Sequence, residues 1–196
     1  MIDIVTTLTV WTYIAGFLIL TARLAKQTGE PVWLFAKGRE RQALPATLFR
    51  MTFLLGALLP LVSLWLGPQQ PLPLLNRCDL GTTLRTAGAA LVLGGGLIAL
   101  YAQHYMGRSW RIGAAEGHLG AIVDSGPFAL SRNPVFVGQI ALFAGLVLVF
   151  TSVLQLAVAI ALVIAVMLQV KIEERVLAKE LGPIYDAYRR KVRRWI

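Results

Sequence analysis

Residues 133–170, NPVFVGQIALFAGLVLVFTSVLQLAVAIALVIAVMLQV, run for 38 residues without one charged side chain. A helix rises about 1.5 Å per residue, so a single helix of that length would be about twice as long as a hydrocarbon core of about 30 Å. The stretch therefore predicts two antiparallel spans. Thr151-Ser152, the polar pair near its middle, marks the turn between them.

Three further uncharged runs lie outward from this hairpin: 4–22, 51–76 and 86–107, each closed by arginine. Each is of the length that crosses a bilayer once. The chain of 196 residues is 57% hydrophobic and 15% charged, with mean hydropathy +0.67. Soluble domains sit nearer about 45–50% apolar and about 25% charged. One such run would suit the core helix of a soluble protein; four in so short a chain do not. The predicted fold is all-α, an integral membrane helical bundle of about five transmembrane helices with a cytoplasmic C-terminal amphipathic helix. It forms a single domain, 1–196, with spans at about 4–24, 47–66, 84–105, 134–150 and 153–173.

Lysine and arginine orient the bundle. Six lie between the first two spans, three between spans three and four, and eight after span five. Only Arg77 and Arg85 fall on the other side, so 17 of 19 share one face. The positive-inside rule makes that face cytoplasmic and puts the N-terminus, with Asp3, outside. The expected location is the cytoplasmic (inner) membrane. The net charge of +9 follows span boundaries, which points to anionic lipid headgroups rather than nucleic acid. The first span has no basic start and no A-x-A-like site after it, and reads as a permanent helix. The single Cys78 excludes an internal disulfide and a cysteine-built metal site, and no metal is expected. Gly94-Gly95-Gly96 with Ala90, and Ala141 with Gly145, allow close helix approach, and Pro60 is a candidate kink in span two.

The chemistry gathers on the second half of the cytoplasmic face. Asn133 suits a helix N-cap and Pro134 a first helical turn, so span four starts there with Arg132 at its mouth. Free amides at a helix start plus a guanidinium suit a carboxylate or phosphate. The same features also describe an ordinary capped helix with a snorkelling arginine. Span five runs on into Lys171-Ile172-Glu173-Glu174-Arg175. Its carboxylates suit an ammonium group, or pair with Arg132 or Arg175. Gly182-Pro183 ends that helix. Beyond it Ile184, Tyr188 and Val192 recur on one face, opposite Arg189, Arg190, Lys191, Arg193 and Arg194. That pattern is an amphipathic helix lying on the headgroups.

Taken in order, these segments resemble the isoprenylcysteine carboxyl methyltransferase family and its phospholipid methyltransferase relatives. The residues are Gly126-Pro127-Phe128, Arg132-Asn133-Pro134-Val135-Phe136-Val137-Gly138, Glu173-Glu174-Arg175-Val176-Leu177 and Gly182-Pro183-Ile184-Tyr185-Asp186-Ala187-Tyr188. Met106-Gly107-Arg108-Ser109-Trp110 resembles a further family segment upstream. The likeness covers about 105–195. Asn133 stands where the family usually has His, and Phe136 where it has Tyr. Gly120 stands where a His commonly precedes the Gly-Pro, with His118 two residues away.

The resemblance implies a membrane methyltransferase that uses S-adenosylmethionine and acts on a lipophilic acceptor. That acceptor is an isoprenylcysteine-like carboxylate, a phospholipid, or a hydrophobic thiol or acid. Arg132 and Glu174 are the implied catalytic pair. His118, Gly126, Pro127, Phe128, Arg132, Asn133, Pro134, Gly138, Glu173, Glu174, Tyr185 and Tyr188 are the implied cofactor site, within about 105–196. The cofactor would enter from the cytoplasm beneath a lid formed by the tail helix. The acceptor would enter from the lipid near Phe136 and Gly138. A non-catalytic membrane binding or assembly protein of the same descent is the alternative.

Overall fold

The structure, a computed structural model, describes residues 1–29, 32, 43–67, 73–112 and 122–196. Among the described residues six α-helices follow one another: α1 (Ile2–Thr28), α2 (Ala43–Leu66), α3 (Gly81–Met106), α4 (Pro134–Val149), α5 (Val153–Leu181) and α6 (Pro183–Lys191). Among the described residues there is no β-strand beyond one isolated bridge, in which Ile112 N–H donates to the Val32 carbonyl at 2.8 Å. Helices α1, α2, α3 and α5 are each long and apolar enough to cross a membrane; α4, with 16 residues, is shorter. The protein is an all-α membrane bundle. The hairpin turns where its polar pair stands: α4 ends at Val149, and the Ser152 side chain caps α5 by accepting from Gln155 N–H at 3.2 Å.

Helices α3 and α4 form the tightest seam, and glycine makes it. A Cβ on Gly138 would lie 2.5 Å from the Gly95 carbonyl oxygen, and one on Gly88 would lie 2.9 Å from that of Gly145. With little apolar driving force between helices in lipid, such backbone approach supplies the packing. Gly94, by contrast, faces open space. Helix α1 packs on α3 and α2 on α5. Buried glutamines tie the elements together. Gln103 Nε2 donates to the Phe17 carbonyl and to Thr21 Oγ1, and Gln139 Nε2 donates to Tyr13 Oη at 2.8 Å. Pro60 lies inside α2, which continues through it.

The two ends of the bundle differ. At one, Asp3 binds both Arg77 and Arg85, and Arg77 also donates to the Val149 carbonyl at 2.9 Å. That bond satisfies an acceptor that the end of α4 would otherwise leave open. The other end carries Arg132, the charged turns of α5, and α6.

Candidate functional site

The site is built where α4 starts. Gly126, at φ 55°, opens a 3₁₀ turn, Gly126–Ala129. A Cβ there would strike the Tyr105 ring at 2.5 Å, so the turn needs glycine twice over. The turn buries Phe128 and presents its carbonyl to Tyr188, whose hydroxyl donates to it at 2.8 Å. Pro134 occupies the first turn of α4, and Asn133 is its N-cap residue, as the sequence reading expected. The Asn133 side chain does not cap the helix, however. Its Nδ2 donates to the Arg194 carbonyl at 3.0 Å, while its backbone N–H donates to Ser131 Oγ. Arg132 N–H donates to the Arg193 carbonyl at 2.9 Å. The C-terminal segment thus takes up donors at the start of α4.

Arg132 is not a snorkelling arginine. Its Nη1 lies 3.2 Å from Glu174 Oε1 and 3.3 Å from Tyr185 Oη, and its side chain is nearly buried. Glu174 is also held by Arg194, Nε to Oε1 at 3.0 Å and Nη2 to Oε2 at 2.6 Å. This hydrogen bond raises the pKa of Arg194. Burial pushes the Tyr188 hydroxyl up to about 12. The Tyr185 hydroxyl is raised too, first by burial and then by the Glu174 carboxylate beside it.

Glu173 points elsewhere. It accepts from Gln169 Nε2 at 2.9 Å and lines a cavity of about 90 Å³ with Arg132, Asn133, Pro134 and Phe128. Trp110, Phe136, Gln139 and Phe49 complete much of its wall. Of the residues expected at the cofactor, Gly126, Pro127, Glu174, Tyr185 and Tyr188 do not line this cavity, though Glu174 and Tyr185 contact Arg132 and Tyr188 contacts Phe128. Gly138 faces α3 rather than the cavity. His118 and Gly120 lie outside the described residues. On α6, Tyr185 turns inward at 1% exposure, while Ile184 is 61% exposed.

A second, apolar groove of about 350 Å³ runs between α1 and α2 and shares Phe17, Phe49, Ile112 and Gln139 with the cavity. Its rim residues Trp11, Leu18 and Leu54 are exposed on the side of the bundle. This groove lies between α1 and α2, whereas at Gly138 the α3 and α4 backbones touch; Phe136 lines the cavity. Sequence reasoning missed Gln139, Gln169 and Trp110. Glutamine inside an apolar span was the available signal, because a polar group there must find a partner.

An apolar membrane bundle thus carries a cavity lined by Arg132 and Glu173 at one end, beside a groove that shares four of its lining residues. The phospholipid methyltransferase family model matches residues 84–183, just over half the chain and the part that builds most of this cavity. The chain belongs to that family, a family of integral membrane methyltransferases. No curated protein sequence matches it.

Proposed function

We propose that this protein is an S-adenosylmethionine-dependent methyltransferase that modifies a lipophilic acceptor from within the bilayer. The observation that carries this reading is the sharing of one cavity by the Arg132 guanidinium and the Glu173 carboxyl group, with aromatic walls from Phe128, Phe136 and Trp110. The polar atoms fit such a cofactor. Arg132 Nε and Trp110 Nε1 are buried donors, and Gln139 Oε1 is a buried acceptor; none has a partner among the described residues. When bound, S-adenosylmethionine supplies a methyl group already activated on a sulfonium sulfur.

The residues divide the remaining work. Arg132 binds the cofactor's carboxylate through a charge-assisted hydrogen bond, and Glu173 binds its ammonium. Glu174 is a positioning residue that holds the Arg132 guanidinium at the cavity. Aromatic side chains exclude water and border the adenine, and α6 closes the site from behind through Tyr185 and Tyr188. The acceptor reaches the cavity along the α1–α2 groove, so its chain never leaves an apolar environment. Alignment and water exclusion are the main demands of a displacement on an activated methyl.

Calorimetry with S-adenosylhomocysteine on the full chain in detergent tests the reading. Saturable binding that Arg132→Ala weakens about 30-fold or more is expected, the loss typical of a desolvated charge-assisted bond. Absence of binding by the folded wild-type protein overturns it.

A further inference from the structure

Two buried polar side chains, Tyr13 and Gln139, interrupt the apolar wall of the α1–α2 groove, and Gln139 also lines the cavity. Both are almost wholly buried, at 3% and 1% exposure. Gln139 Nε2 donates to Tyr13 Oη at 2.8 Å, and this is not enough for either group. Gln139 Oε1 has no partner among the described residues. The Tyr13 hydroxyl proton has no acceptor among them either. Turning the amide over changes the labels but not the result: Tyr13 then donates to Oε1, and the Gln139 amino group is left open. In both arrangements two donor hydrogens and at least one acceptor of the pair stay unfilled in apolar surroundings, a costly state without a ligand.

We propose that Tyr13 and Gln139 select the head of the lipid that enters the groove, taking an uncharged group that both donates and accepts, a hydroxyl or un-ionised amine on an apolar chain. The chain lies along Trp11, Leu18, Phe53, Leu54 and Ala57, and the head fills an open donor and an open acceptor of the pair. A carboxylate or phosphate presents acceptors only. With the amide oxygen toward the groove it would leave Gln139 Oε1 facing a negative charge, and in either amide orientation it would bring that charge out of water. Arg50 stands at the groove's edge, and an anionic head would settle there instead of at the inner pair. The inference rests on the methyltransferase reading for the purpose of the groove, but head selection itself requires no cofactor.

Trp11 on the groove wall provides the readout. Dibrominated octadecanol and the matching dibrominated octadecanoate are titrated into the protein in detergent at pH 9, and the Trp11 signal is isolated by difference from Trp11→Phe. Saturable quenching by the alcohol is expected at a mole fraction about fivefold or more below that of the carboxylate, the scale of one hydrogen-bonding difference. Gln139→Leu and Tyr13→Phe should each abolish the preference while helical circular dichroism is retained. Should Gln139→Leu fail to fold, Tyr13→Phe, which removes one oxygen atom, carries the test alone. Equal quenching by both probes, tighter binding of the carboxylate, or a preference surviving in both variants overturns the proposal. Calorimetry with S-adenosylhomocysteine on the same samples separates the two readings. Cofactor binding without head preference sinks head selection alone, and head preference without cofactor binding sinks the methyltransferase reading alone.

Discussion

Arg194 grips Glu174 with two guanidinium nitrogens, at 3.0 and 2.6 Å, while Arg132 approaches the same carboxylate at 3.2 Å. One anion thus links the start of α4, the exit of α5 and the C-terminal segment. The two cations are not equivalent. The Arg132 side chain is 10% exposed and that of Arg194 is 43% exposed, so water screens the outer pair far more than the inner one.

That difference ranks two variants. Glu174→Gln removes the charge that orients Arg132 and should weaken S-adenosylhomocysteine binding about 30-fold or more. Arg194→Ala removes only the screened pair and should cost about fivefold or less. Calorimetry on both variants checks the order. Equal or reversed losses would show that Glu174 does not act through Arg132.

The α3–α4 seam predicts two glycine substitutions of opposite sign. Gly138→Ala drives a methyl against the Gly95 carbonyl, where backbone rather than a flexible side chain must yield. A loss of about 1–3 kcal/mol is expected from such overpacking. Gly94→Ala meets nothing within 4 Å and should gain about 0.5–1 kcal/mol from the stiffer helix. Thermal unfolding in a fixed detergent reads both. Equal effects would place the seam elsewhere.

Much of this architecture was legible in the sequence because lipid imposes length and polarity together. The uncharged runs correspond to α1–α5, the hairpin turns at Thr151-Ser152, and Gly182-Pro183 separates α5 from α6. Rotation of the helices was not legible. Glu173 and Glu174 are neighbours about 100° apart on α5, and only packing decides that Glu173 reaches the cavity while Glu174 meets two arginines. Nor does local pattern reveal that the carbonyls of Arg193 and Arg194 land on Arg132 and Asn133, because that pairing joins segments about 60 residues apart.

Tyr188 supplies a pH prediction. Its buried hydroxyl holds its proton up to about 12, against an ordinary value of 10.0. The folded state therefore binds this proton more tightly than the unfolded chain. The associated stability is fully present below pH about 10 and is lost as pH rises toward about 12. The absorbance difference at 295 nm between wild type and Tyr188→Phe should show its inflection near the upper value. An inflection at the ordinary value would mean that Tyr188 is not held against the Phe128 carbonyl.

The charge asymmetry predicts orientation. Reporters fused after residues 35, 72, 120 and 196 should read cytoplasmic, external, cytoplasmic and cytoplasmic, because 17 of the 19 Lys and Arg lie on one face. A cytoplasmic reading at 72 would reverse the assignment and move the proposed cofactor site to the wrong side of the membrane.

Two truncations separate the contributions of the tail. Stopping after Lys191 keeps α6, with Tyr185 against Arg132 and Tyr188 against Phe128. It removes the Arg193 and Arg194 carbonyls from the start of α4 and the Arg194 side chain from Glu174. Three donors at the start of α4 then turn to water: Arg132 N–H, Ser131 Oγ and Asn133 Nδ2. The cost is a few hydrogen bonds at a partly exposed site, and cofactor affinity should fall about tenfold. Stopping after Leu181 also removes both tyrosines, exposing Phe128 and leaving Arg132 with Glu174 as its one remaining side-chain partner among the described residues. Binding of S-adenosylhomocysteine should then be lost altogether, while α1–α5 stay helical and inserted, since none of the α3–α4, α1–α3 or α2–α5 packing involves the tail. Calorimetry beside circular dichroism on both truncated chains reads the two effects separately. Full-strength binding by the chain ending at Leu181 would reduce α6 to a surface anchor.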